Sequence, residues 1–281
     1  MTNNTWRFII SGKMAPAENM AIDEAILLGV LKGVSPQTIR VYDWDPPTVS
    51  FGFHQNIEKQ IDLDKVKKYG FGIVRRPTGG RAVLHYDEVT YAVIANTNGI
   101  MSGSILKSYQ KIGSVLIKCL DDIGISAEME NGISQDKKQK NWSNPCFASA
   151  SKYEIHYKHK KIIGSAQIRK NSVLLQHGSI LLNHNQELMA ELVPFNNASD
   201  SKALKKLLSQ KTIAINQILD KPISFNKFVN TFKENFEKEF ALSFSKDSEI
   251  NKFEKTLIKK LLTKYKNYNN KTNLNNKKID I

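Results

Sequence analysis

The stretch of this sequence richest in chemistry runs from Arg75 to Val93, RRPTGGRAVLHYDEVTYAV. Gly79 and Gly80 directly follow a run of strand-forming residues, so the chain can turn sharply there and bring its backbone close to a ligand. Arg75, Arg76 and Arg81 flank the turn with positive charge. Such a turn suits an anionic group, and it equally suits a plain hairpin. The spacings G-x-x-x-x-G-K and G-x-G-x-x-G are both missing, which sets aside a P-loop or a dinucleotide fingerprint.

A second stretch, KKIIGSAQIRK at Lys160 to Lys170, is followed closely by LQHGSILL at Leu175 to Leu182. Gly164, Ser165 and Ala166 are small residues inside otherwise bulky strands, a pattern that marks close approach of a ligand or another backbone. Lys161 stands three residues before them and His177 after them. A strand lysine of this kind is ordinarily solvated, and the histidine is equally readable as a hydrogen-bonded, half-buried residue. The chain has two cysteines, Cys119 and Cys146, with no C-x-x-C pair and no histidine cluster at zinc spacing. A disulfide scaffold and a structural zinc are therefore not expected, and each thiol is either core filler or a reactive group.

The elements that must position these residues follow from the hydrophobic pattern. Met20 to Gly33 predicts an amphipathic helix with Asp23 and Glu24 on its polar side. IRVYDW, TVSFGFH, GFGIVRRPTGGRAVLH and VTYAVIAN are rich in Val, Ile, Phe and Tyr and broken by Pro or Gly, which predicts strands joined by tight turns. DLDKVKKYG reads as a short helix stopped by Gly70. Ser104 to Asp122 predicts a second long helix that contains Cys119 and makes that thiol a packing residue. The polar run ENGISQDKKQKNWSNP predicts a loop leading to Cys146, and paired strands follow it. Residues 186–220, 225–240 and 249–266 read as helical, and YNNKTNLNNKKIDI has too few apolar residues to fold alone.

Composition bounds the class. With 281 residues, 41% hydrophobic and 24% charged, the chain can bury one large core or two modest ones. The N-terminus lacks the order of a secretory signal, and no apolar run approaches the roughly 20 residues that span a bilayer, so no membrane partner and a cytoplasmic location are expected. Of the formal charge of +14, Ser201 to Ile281 supply 18 Lys against 8 Asp plus Glu, or +10. That basic end fits an acidic partner surface such as a carrier protein, or is simply a solvated face. Aromatic residues for base stacking are sparse there, so no nucleic-acid partner is expected.

Taken together, RRPTGGRAVLH, GSAQ preceded by lysine, and QHGSIL resemble the biotin/lipoate protein ligase and octanoyltransferase superfamily over about residues 5–245. The resemblance implies an α+β fold of mixed or antiparallel sheets flanked by helices. Joined to the hydrophobic pattern, it gives a catalytic domain at residues 1–245, a C-terminal helix at 246–266 and a Lys/Asn-rich tail at 267–281 that is expected to be disordered. ATP-using ligases of the superfamily usually carry a third Gly where this chain has Arg81. Together with Glu88, Thr90 and Tyr91 downstream, that difference resembles the LipM-type octanoyltransferases, whose nucleophile lies in a Cys-Phe segment before a Tyr-Glu strand. Cys146-Phe147 and Tyr153-Glu154 occupy those places. This chain departs from the pattern in lacking the Asp, Pro and Trp that usually follow the nucleophile, and in having Tyr86 between His85 and Asp87.

By this resemblance, Cys146 carries the acyl group as a thioester and Lys161 shuttles protons. Arg75, Arg76, Thr78, Gly79, Gly80, Arg81, His85, Gly164, Ser165, Ala166, Gln167, His177 and Gly178 bind substrate, and no metal or other cofactor is needed. Octanoyl-acyl carrier protein is the implied donor and a lipoyl carrier such as the glycine-cleavage H protein the acceptor, with the enzyme a monomer. An ATP-dependent lipoate ligase and an amidotransferase working between lipoyl domains are the alternative activities.

Overall fold

The structure is a computed structural model that describes residues 5–129, 154–183, 185–195 and 197–267. In chain order its elements are β1 (Thr5–Met14), α1 (Pro16–Leu31), β2 (Thr38–Trp44), β3 (Thr48–Phe51), α2 (Leu63–Lys68), β4 (Gly72–Arg75), β5 (Val83–His85), β6 (Glu88–Asn96), α3 (Ile105–Asp121) and β7 (Glu128–Met129). Then follow β8 (Ile155–Tyr157), β9 (Lys160–Lys170), β10 (Val173–Leu181), α4 (Met189–Leu192), α5 (Ala198–Lys211), α6 (Phe225–Phe240), β11 (Ser243–Phe244) and α7 (Lys252–Lys266).

Eight strands form one sheet in the order β11-β1-β2-β6-β10-β9-β8-β7. β1 runs parallel to both β2 and β11, and the other pairs are antiparallel. The expected class of mixed sheets flanked by helices is what the chain adopts. Strand alternation splits the side chains between two cores. Val41, Tyr91 and Val93 face α3 and α6 in a cluster with Leu116, Phe228 and Phe232. Tyr42, Ala92 and Leu175 face α1 and α7 in a second cluster with Met20, Leu257 and Leu261.

Two sequence expectations are corrected by this packing. Asp23 and Glu24, expected on the polar side of α1, are both buried: Asp23 faces the large sheet, against Arg40 and Tyr42 of β2, and Glu24 faces α7, against Lys264 and Tyr265. Asp23 meets Arg40 at 2.8 Å and Glu24 meets Lys264 at 2.5 Å, so each carboxylate is compensated. The run from Gly72 to His85 is also not a hairpin. β4 pairs parallel with β3 and β5 pairs antiparallel with the other edge of β3, in a separate sheet ordered β4-β3-β5. The Gly79–Gly80 turn thus crosses over β3 rather than joining two paired neighbours. Residues 186–220, read as helical, hold α4 and α5 with short 3-10 turns at Gln186–Leu188 and Ile215–Gln217. Cys119 lies in α3 as expected, wholly buried, and burial pushes its thiol pKa well above the ordinary range.

Candidate functional site

Between the two sheets and α1 lies a cavity of about 240 Å³. The large sheet contributes side chains that alternation places on one face: Tyr42 and Trp44 of β2, Thr90 of β6, His177 and Ser179 of β10, and Ala166 of β9. The small sheet contributes Ser50, Val83 and His85, and the crossover after β4 contributes Arg76, Gly80 and Arg81. Gly164, Ser165 and Gly178 complete the wall opposite Met20. Small residues on β9 leave room where bulky ones would fill it, and Met20, Trp44, Val83 and Ala166 make part of the wall apolar.

Glycine is required at two places around this space. A Cβ on Gly178 would lie 2.5 Å from the Tyr91 ring and 2.8 Å from Ser165 Oγ. Without one, Tyr91 and Ser165 hydrogen-bond across β10 at 2.7 Å. A Cβ on Gly52 would lie 2.0 Å from the Gly80 carbonyl oxygen, so the end of β3 packs directly on the Gly79–Gly80 turn. Gly80 itself has φ +94°, the left-handed region that glycine occupies without strain.

The arginines before the turn are used to shape it. Arg75 Nη1 donates to the carbonyls of Gly52, Phe53 and Gln55 at 3.2, 3.0 and 2.8 Å. Arg76 donates to the carbonyls of Ser50, Gly79 and Arg81 at 2.9, 2.9 and 2.7 Å. Burial lowers the pKa of Arg75. Of the three, Arg81 is the exposed one, so the positive ring expected from the sequence is largely tied into main chain.

Two polar chains reach the cavity. In the first, Arg40 binds Asp23 at 2.8 Å with both side chains fully buried, and Tyr42 donates its hydroxyl to the other carboxylate oxygen at 2.8 Å. Burial alone would raise the Asp23 pKa, but the Arg40 guanidinium and His177 outweigh it and hold the carboxyl below its usual range. His177 Nδ1 lies 3.8 Å from that carboxylate, and its Nε2 meets Thr78 Oγ1 at 2.6 Å. Burial lowers the His177 pKa despite Asp23, so the ring is neutral near pH 7. In the second chain, Ser50 Oγ meets His85 Nε2 at 2.7 Å and His85 Nδ1 meets Glu88 Oε1 at 2.7 Å. Thr90 and Ser179 donate their hydroxyls to the same carboxylate.

Lys161 is buried, 2% exposed, and its Nζ lies 2.5 Å from Glu154 Oε1. A solvated strand lysine is thereby ruled out. β8 pairs with β9 so that His156 faces Lys161 across the ladder, and His156 Nε2 lies 3.7 Å from the other Glu154 oxygen. Cys146 and its Phe147, with the expected loop before them, lie outside the described residues. Among the residues expected to bind substrate, Arg75, Thr78, Gly79 and Gln167 are not part of the described wall. Gln167 points to the opposite core, where it donates to Ser108 at 3.0 Å and to Gln176 at 2.9 Å. The sequence reading did not single out Ser50, Asp23, Tyr42, Trp44 or Ser179. Glu88 and Thr90 entered only as motif letters, although their i, i+2 spacing on a strand already placed them on one face.

Among the described residues, no cluster of three or more His, Cys, Asp or Glu could hold a metal ion, and no helix is long and apolar enough to cross a membrane.

The architecture is that of the lipoate-ligase catalytic domains. The chain resembles a crystal structure of lipoate-protein ligase A bound with ATP, with a TM-score of 0.75 over 92% of this chain and 95% of that one at 20% identity. A bipartite lipoate protein ligase from Thermoplasma acidophilum, studied with its E2 lipoyl domain, also gives 0.75, covering 92% of each chain at 19% identity. At such identities the likeness establishes the fold alone. The chain belongs to the lipoyl protein ligase A/B catalytic domain family, whose profile matches residues 15–237. It is similar to the octanoyltransferase LipM of Anoxybacillus flavithermus, 40% identical over 243 residues, which are 85% of this chain and 87% of that protein. Octanoyltransferase LipM of Moorella thermoacetica is 39% identical over 94% of this chain and 97% of its own. That of Bacillus subtilis is 38% identical over 84% and 87%.

Proposed function

We propose that this chain is an ATP-independent octanoyltransferase of lipoate biosynthesis, a cytoplasmic monomer. It moves octanoyl from an acyl carrier protein through a thioester on Cys146 to a lysine of a lipoyl carrier such as the glycine-cleavage H protein. The observation that carries this reading is the close similarity, across most of the chain, to proteins named octanoyltransferases. Arg81 in place of a third glycine after Gly79–Gly80 points away from the ATP-using ligases.

Chemically, a thiol acceptor makes the first step an exchange between thioesters, which is close to thermoneutral. The thiolate, not the thiol, attacks, so a base must take the Cys146 proton. Lys161 takes that role by passing a proton to the buried Glu154 carboxylate, 2.5 Å from its Nζ, as it accepts the one from the thiol. The departing donor thiolate takes that proton back, so in the second step the same group accepts the proton of the attacking carrier lysine and returns one to the Cys146 sulfur as it leaves. The octanoyl chain occupies the cavity between the two sheets, where each buried methylene contributes ~0.8 kcal/mol. Arg76, Gly80, Arg81, His85 and His177 line the polar part of that space, and the Thr78 hydroxyl fixes the His177 ring from behind.

Incubation with octanoyl-acyl carrier protein, without ATP, is expected to give an octanoyl mass gain on the Cys146 peptide, and transfer to the H protein is expected to be lost in Cys146→Ser. Full transfer by that variant would falsify the reading. Activity with free lipoate and ATP would instead assign a ligase. A preference for octanoyl already carried on a lipoyl domain would assign an amidotransferase.

A further inference from the structure

The transfer chemistry above gives no proton-transfer role to the chain of polar groups that begins at Ser50 on the cavity wall. Its proton order can be worked out from the donors that have no choice. Arg76 Nη1 can only donate, and it reaches Ser50 Oγ at 3.1 Å, so an oxygen lone pair of Ser50 is taken and its hydroxyl proton is available for His85. Trp44 Nε1 can only donate, and it reaches Thr90 Oγ1 at 2.8 Å, which turns the Thr90 proton toward Glu88. The Glu88 carboxylate thus accepts from Thr90 and Ser179 and takes its third bond, at 2.7 Å, from His85 Nδ1. That contact places the imidazole proton on Nδ1 and leaves Nε2 as the acceptor of the Ser50 proton at 2.7 Å. Every member of the chain has one consistent role.

This is the order in which a serine nucleophile, a histidine base and an orienting carboxylate act. Two further features suit it. Trp44 stacks on His85 with centroids 4.4 Å apart, which stabilises the imidazolium that forms when the base takes a proton. The Arg76 guanidinium, 3.1 Å from Ser50 Oγ, places positive charge beside the nucleophile, where it favours the alkoxide that forms as the proton leaves. Ser50, His85 and Arg76 all face the cavity, whose wall is partly apolar, so a medium-length acyl chain lying there would bring its carbonyl to the serine.

We propose that Ser50 is a second acyl-accepting nucleophile, giving this protein a hydrolase activity toward medium-chain acyl esters and thioesters. Ser50 Oγ bonds to the acyl carbonyl carbon while its proton passes to His85 Nε2. The bond from that carbon to the thiol or alcohol breaks, and the leaving group takes the proton from His85. Water then attacks the Ser50 ester, giving one proton to His85. Ser50 recovers that proton as the fatty acid leaves, so thioester and water become acid and thiol. The proposal shares the acyl cavity with the transferase reading but requires neither Cys146 nor a carrier protein.

The full-length protein treated with a fluorophosphonate probe is expected to carry the label on the peptide containing Ser50, and p-nitrophenyl octanoate is expected to be hydrolysed. Ser50→Ala is expected to slow that hydrolysis by about 10²-fold or more, because the variant loses the oxygen that forms the ester. No label on the Ser50 peptide, or hydrolysis by Ser50→Ala within twofold of the unaltered protein, overturns the proposal. Labelling uses the unaltered chain, so a folding defect in the variant cannot decide the matter. An octanoyl adduct on the Cys146 peptide reports the transferase reading separately, and either result can fail without the other.

Discussion

At the scale of single residues the cavity depends on buried charges whose partners are fixed. Asp23 is compensated by Arg40, Tyr42 and, at longer range, His177, with the Arg40 pair fully buried. Removing one member of such a pair leaves the other charge in a dry interior. Asp23→Asn is therefore expected to lower unfolding free energy by about 3–5 kcal/mol, read by urea titration at pH 7. The pH dependence follows from the signs. The folded Asp23 pKa lies below its unfolded value, so its contribution is fully present above ~pH 4 and is lost as pH falls through the folded pKa. The gap between unaltered protein and Asp23→Asn is expected to close over that acidic range. His177 acts in a higher window. Burial depresses its folded pKa below the unfolded ~6.5, so the unfolded chain binds more protons and stability declines as pH drops below ~6.5. His177→Gln is expected to flatten that part of the profile, and a profile unchanged by the substitution would contradict this assignment.

At the scale of elements the site depends on strands brought close by the absence of side chains. Gly52 and the Gly79–Gly80 turn touch so closely that a methyl on Gly52 overlaps the Gly80 carbonyl. Gly52→Ala is expected to destabilise by about 1–3 kcal/mol, the usual cost of overpacking, and to reduce transfer more than stability alone explains, because the crossover lining the cavity must move. Thermal unfolding alongside octanoyl transfer separates the two effects. How much was legible in the sequence divides along the same line. The strands of the large sheet were readable because they are short runs rich in β-branched and aromatic residues, as in IRVYDW and VTYAVIAN, and α3 was readable because its apolar residues recur at helical spacing. The pairing of β4 and β5 through β3 was not, since a crossover over a third strand leaves no local pattern that differs from a hairpin. Asp23 and Glu24 were misjudged for a related reason. Periodicity puts both on one side of α1, but does not tell that Arg40 and Tyr42 of β2 will meet Asp23 or that α7, more than two hundred residues later, will cover Glu24. The buried state of Lys161 likewise depends on Glu154 arriving from the neighbouring strand, a pairing that strand patterning leaves open.

At the scale of the whole molecule, the charge is uneven, and α7 shows what that does. One face of this helix is structural: Glu254 takes two bonds from Arg7, at 2.9 and 2.5 Å, in a fully buried pair, and Leu257, Leu261 and Tyr265 pack on α1. The other face carries Lys252, Lys255, Lys259, Lys260 and Lys266, all exposed. Helix dipole effects and isolated surface pairs do not call for so many like charges on one side, whereas attraction of an acidic carrier protein would use them. Such attraction acts mainly on the encounter rate and weakens as the Debye length shrinks, from about 10 Å at 0.1 M salt to about 3 Å at 1 M. For octanoyl-acyl carrier protein, kcat/KM is therefore expected to fall with added salt. The triple substitution Lys255→Glu, Lys259→Glu and Lys260→Glu is expected to reduce it at low salt by about tenfold or more, within the range of steering effects, and to flatten the salt slope. A small uncharged donor, octanoyl-N-acetylcysteamine, has no acidic surface to attract and is expected to react at the same rate with both proteins. That donor comparison is what tells steering from damage to the site. If the substitutions slow both donors equally, the lysine face contributes to the fold or to the cavity behind α1 and not to recognition of a carrier.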